Sequence, residues 1–150
     1  MSTHEYSTRL AWNGSTGDGY RAYDRTHDVE LAGGTLPVSA DASFRGDASM
    51  TNPEQLLLAA ASSCQLLSFL AVAALAEIEV LAYEDDATAV MPQAAASMRI
   101  TEVVLRPRIT ARATDEATVE RLVEAAHRHC FIANTLNATV RIEPTIELVA

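Results

Sequence analysis

The chain has 150 residues, 49% apolar and 21% charged, a balance that fits one globular domain with a real core and excludes a disordered or fibrous chain. Twenty acidic residues stand against eleven basic ones, all Arg, for a net charge of −9; such a surface repels phosphate backbones, so neither nucleic acid nor an anionic membrane is an expected partner. Two cysteines are too few for a disulfide scaffold, and residues 1–10 carry neither the basic nor the apolar region of a secretory leader.

Residues 6–12 read as a first strand, followed by a turn cluster with Gly14, Gly17 and Gly19. Residues 20–31 read as one or two short strands, with Gly33–Gly34 as the next break, residues 35–39 as another strand, and residues 40–50 as a loop. Thr51-Asn52-Pro53-Glu54 announces a helix. Thr51 with Glu54 fits a capping box, or Asn52 caps and Pro53 is the first helical residue. The helix is expected to run to about Ala76. Residues 55–76 carry no charge and are long enough to span a bilayer. The run is Ala-rich, however, holds Gln55, Ser62, Ser63, Gln65 and Ser68, and lacks a basic flank and an aromatic belt. The better expectation is a central helix buried on all sides, with a partner chain supplying part of the cover.

Residues 80–91 read as a strand ended by Pro92. Residues 98–112 read as a half-buried strand, with Val103, Leu105, Ile109 and Ala111 on one face and Pro107 marking an edge or bulge. Thr114-Asp115-Glu116 starts a second helix, acids first, whose apolar face is Val119, Leu122, Val123, Ala126 and Cys130. Residues 138–149 close the chain as a strand with Val140, Ile142, Ile146 and Leu148 inward. The expected fold class is α+β, with antiparallel sheets around the long helix and one cysteine on each helix.

Cys64 sits mid-helix, with Ala60 and Ala61 one turn back and Ser68 one turn on, so there is room beside its sulfur. Cys130 lies near the end of the second helix, 66 residues later. A disulfide needs Cα atoms within about 7 Å, which packed helices reach where small residues face each other. Residue types alone leave two readings open: two inert buried thiols, or a reactive pair. His127 projects onto the face of Cys130, where a positive charge would lower the thiol pKa; His129 points elsewhere. A helix sets residues 127 and 129 about 200° apart, which fits no zinc template. The chain carries no phosphate-binding glycine loop, no Gly-x-Ser-x-Gly elbow and no His-Glu-x-x-His.

Thr51-Asn52-Pro53-Glu54-Gln55-Leu56 followed by Ala59-Ala60-Ala61-Ser62-Ser63-Cys64 resembles the central-helix signature of the OsmC and organic hydroperoxide resistance family. Ala125-Ala126-His127-Arg128-His129-Cys130, followed by an Asn and a closing strand, resembles the family's second cysteine element, at a typical spacing. The resemblance runs from about Leu10 to Val149 and implies a single OsmC-like domain over residues 1–150, forming an intertwined homodimer with its active site at the interface. It also implies a thiol peroxidase acting on organic hydroperoxides or hydrogen peroxide. Cys64 would be the peroxidatic thiolate and Cys130 the resolving cysteine, with a lipoyl-type dithiol as reductant and no metal, haem or flavin. The family holds its thiolate with an Arg tied down by a Glu, and Glu54 falls at that Glu. The Arg departs from the pattern: one family position reads Ser15-Thr16-Gly17-Asp18-Gly19 and the other Ser43 or Phe44, so Arg25 and Arg45 are the candidates. That departure suggests a divergent branch and keeps open an alternative, an OsmC-fold protein that binds a small apolar ligand or partner with weak or no peroxidase activity. Glu54 lies about 15 Å from Cys64 along a continuous helix, so it also reads as a helix cap. The need for reduced thiols points to the cytoplasm.

Overall fold

The computed structural model describes residues 2–93 and 97–150, in two compact units, Met1–Leu56 and Leu57–Ala150. In the first, β1 (Arg9–Ala11), β2 (His27–Leu31) and β3 (Gly34–Val38) form an antiparallel sheet in the order β1-β2-β3. The first strand is shorter than its apolar pattern suggested, and residues 20–25 fold as turns rather than strand. The Gly19 carbonyl accepts the amides of Ala22 and Tyr23, and the Arg25 guanidinium donates to the carbonyls of Tyr20 and Tyr23 at 2.7 and 2.9 Å. Local hydrogen bonds to a flexible glycine corner thus outcompete a sheet ladder. The loop before the long helix holds a 3-10 turn, Ala42–Phe44, capped by the Asp41 side chain.

Helix α1 (Pro53–Leu75) starts where the sequence indicated. Asn52 is the cap: its side chain accepts the Gln55 amide at 2.9 Å, and the Gln55 side chain accepts the Asn52 amide at 3.1 Å. The reciprocal pair is therefore Asn52 with Gln55 rather than Thr51 with Glu54. The helix ends in a Schellman motif, with Ile78 N–H on the Ala73 carbonyl, Glu77 N–H on that of Ala74, and Glu77 itself at φ 58°. The expected all-round burial is not met within the chain. Ala61, Gln65, Phe69 and Ala73, four residues apart, form one buried stripe, while Leu67 is 64% and Leu75 86% exposed.

In the second unit each expected long strand is two strands. Residues 80–91 divide into β4 (Glu79–Asp85) and β5 (Thr88–Val90), residues 98–112 into β6 (Glu102–Leu105) and β7 (Pro107–Arg112), and residues 138–149 into β8 (Thr139–Ile142) and β9 (Thr145–Val149). The halves enter different sheets, β4-β7-β9 and β5-β6-β8. The breaks fall where ladder hydrogen bonds are diverted. The Arg106 amide donates to the Asp85 carboxylate at 2.6 Å instead of to a strand, and Pro107 and Pro144 have no amide proton to give. The Arg106 side chain ties the kinks together through Glu143 at 3.1 Å and Thr88 at 2.9 Å.

The antiparallel expectation holds for β4–β7 and β5–β6, but β6–β8 and β7–β9 are parallel. The connection from β7 to β8 runs through α2 (Glu116–His129) and α3 (Phe131–Thr135), and a helical crossover returns the chain in the same direction. Helix α2 is capped by the Asp115 carboxylate on the Thr118 amide at 2.8 Å. Its Val119, Val123 and Ala126 pack with Phe69, Ala73, Ile109 and Ala111 in one core cluster; Ala61, Val103 and Leu105 centre a second. Leu148, expected inward, is exposed on β9, an edge strand.

Candidate active site

Helical geometry decides what Cys64 can reach. At 100° per residue it lies beside Gln65, at the border of the buried stripe, and it is half-buried. Cys130 reaches the same place from another direction. It is the residue between α2 and α3, at φ −72° and ψ 106°, with its amide on the His127 carbonyl at 3.2 Å and its own carbonyl accepting the Asn134 amide at 3.0 Å. Its side chain is fully buried. Both cysteines are free thiols, and Cys64 is near enough to Cys130 to act on its ionisation. Burial chiefly pushes the Cys130 thiol up to about 11; the amides of Ala133 and Ile132 oppose the rise and the neighbouring Cys64 adds to it. Cys130 is therefore a neutral thiol at physiological pH.

Cys64 opens on a cavity of about 500 Å³, lined chiefly by Leu67, Ala71, Val72, Leu75 and Phe131, with Ser68 and His129 as its other polar members. Helical projection put His127 on the face of Cys130 and His129 elsewhere; in the structure it is His129 that lines the Cys64 cavity. His127 lines a different cavity with Glu120, Glu124, Ile142 and Pro144, its Nδ1 buried without a hydrogen-bond partner among the described residues.

On the opposite flank of the buried stripe, Ser62, Ser63, Leu66, Tyr83 and Asp85 line a cavity of about 310 Å³. The Ser62 hydroxyl donates to Asp85. The Tyr83 phenol is held protonated by burial first and then by Asp85 and Cys130, and its hydroxyl is buried without a partner among the described residues. Sequence reasoning did not find this group, because Tyr83 and Asp85 come from a strand whose pattern points only to sheet.

The remaining candidates lie within residues 1–56. Glu54 is in the first turn of α1, with Oε2 buried and unpartnered among the described residues. The Arg25 guanidinium stacks 3.9 Å from the Tyr23 ring centroid and 5.1 Å from that of Tyr20. Arg45, at φ 67° after the 3-10 turn, lies 6.0 Å from the Tyr20 ring. The structure thus brings Cys64 to Cys130, and Arg25 and Arg45 to Tyr20. Among the described residues no three His, Cys, Asp or Glu side chains are grouped to hold a metal ion.

A family model described as OsmC-like protein matches residues 46–145, which include both cysteines. The chain belongs to the OsmC-like family. An OsmC-like protein of unknown function from Vibrio cholerae is similar over 95% of this chain and 100% of its own, at 28% identity and a TM-score of 0.85. An organic hydroperoxide resistance protein OsmC from Legionella pneumophila is 22% identical, over 97% of this chain and 99% of its own, with a TM-score of 0.69. An organic hydroperoxide resistance protein from Elizabethkingia anophelis is 20% identical, over 99% and 100%, with a TM-score of 0.70. The last two share the OsmC-like fold with this chain. No curated protein matches the sequence.

Proposed function

We propose that this OsmC-like protein is a thiol-dependent peroxidase that reduces organic hydroperoxides or hydrogen peroxide. The observation that carries the reading is the pairing of unlike thiols: Cys64 half-buried on an open apolar cavity, and Cys130 fully buried beside it with its thiol pushed up by burial. The Cys64 thiolate attacks the distal peroxide oxygen, giving a sulfenic acid and an alcohol or water. The Cys130 thiol then displaces hydroxyl from that sulfur, releasing water and forming the Cys64–Cys130 disulfide. A dithiol, lipoyl-type by family resemblance, returns both thiols and is itself oxidised to a disulfide. The names of the Legionella and Elizabethkingia relatives agree with this chemistry. Glu54 offers an orphaned buried oxygen that a guanidinium would satisfy. Arg25 is already committed to two carbonyls and two rings, whereas the Arg45 guanidinium faces the Tyr20 ring at 6.0 Å. Ligand binding without catalysis would use the same apolar cavity but gives no role to the adjacent second thiol.

The exposed apolar side of α1, with Leu67, Leu70 and Leu75, supports a homodimer. The test of function is stopped-flow consumption of cumene hydroperoxide. Rapid oxidation is expected in the wild type and none in Cys64→Ser; equal consumption by the two would remove the mechanism.

A further inference from the structure

We propose that His129 is the acid of the Cys64 cavity, the group that protonates the departing alkoxide; the proposal rests on the peroxidase reading above. His129 comes from the last position of α2 and, among the cavity-lining residues, it alone can carry a positive charge, the surroundings being Leu67, Ala71, Val72, Leu75 and Phe131 with Ser68. It is exposed, so it exchanges protons with water. Among the described residues the titratable group that lines the cavity with it is Cys64 on α1; Arg128 precedes it on α2, Cys130 follows it, and α3 presents Phe131.

The step balances as follows. The Cys64 thiolate takes the distal oxygen of R–O–O–H, so an S–O bond forms as the O–O bond breaks. The electron pair leaves on the alkoxide, which takes the imidazolium proton of His129 and departs as the alcohol. Sulfur is oxidised to sulfenic acid, the peroxide is reduced, and the neutral imidazole regains a proton from water. An apolar wall makes a bare alkoxide costly, so a positioned acid has a large effect there. An Arg can hold a thiolate but, staying protonated, cannot do this. Imidazole is suited to it.

The experiment is single-turnover oxidation by cumene hydroperoxide, with the sulfenic acid trapped by dimedone, across neutral pH for wild type, His129→Gln, His129→Arg, His127→Gln and Cys64→Ser. His129→Gln is expected to slow sulfenate formation by about 100-fold or more and to lose one limb of the pH profile. His129→Arg, which restores charge without a transferable proton, should stay slow, and His127→Gln should match wild type. A wild-type rate and profile in His129→Gln, or full rescue by His129→Arg, overturns the acid role while leaving the peroxidase reading intact. No Cys64-dependent oxidation in the wild type defeats the peroxidase reading itself, and the acid role with it.

Discussion

Cys64 and Cys130 are the same residue type given different chemistry by their surroundings. Cys130 is sealed between two helices and keeps its proton; Cys64 borders an open cavity. The buried thiol should leave a signature in stability. In an unfolded chain a cysteine ionises near about 8.5, whereas in the fold Cys130 is raised to about 11. The protonated thiol therefore contributes fully below the lower value, and that contribution is lost as pH rises through the upper one. Urea midpoints of the reduced protein are expected to fall over this alkaline window, less steeply in Cys130→Ala than in the wild type. Parallel slopes would show that the thiol is not held protonated by the fold.

At the scale of elements, capping chemistry was the best guide and strand continuity the worst. Thr51-Asn52-Pro53-Glu54 marked the start of α1, with Asn52 the cap of the two offered, and Thr114-Asp115-Glu116 that of α2. Pro107 signalled a break in the strand that holds it, but apolar alternation continues across the bends there and at Pro144, and nothing in a period of two records that the chain changes sheets. The C-terminus of α1 carries a testable strain. Glu77 occupies a left-handed position, φ 58°, that favours glycine. Glu77→Gly is expected to stabilise the protein by about 0.5–1 kcal/mol, the relief of left-handed strain exceeding the added freedom of the unfolded chain. Urea denaturation measures it, and a lower midpoint would refute the argument.

At the scale of the whole molecule, the composition of α1 exceeds what one chain covers. Its buried stripe is one side of the helix, and Leu67, Leu70 and Leu75 remain open to solvent. A soluble domain rarely leaves such a strip uncovered. In the proposed homodimer, sedimentation should give twice the monomer mass, and Leu70→Glu, which places a charge on the strip away from the Cys64 cavity, should shift the protein toward monomer. A wild type that sediments as a monomer would refute the dimer.

Local chemistry made much of this protein legible in one dimension. The helix starts, the apolar face of α2, the α+β class and the two cysteines with their family signature all follow from residue types at short spacing, because caps and amphipathic faces are made by neighbours in sequence. Other features rest on groups distant along the chain: Cys130 meeting Cys64, His129 rather than His127 opening on the cavity, Ser62 meeting Asp85 beside Tyr83, and parallel pairing around α2. Those were decided only by tertiary structure, since which side chains share a cavity depends on how separate elements pack, and a strand that bends changes its direction without changing the pattern that predicts it.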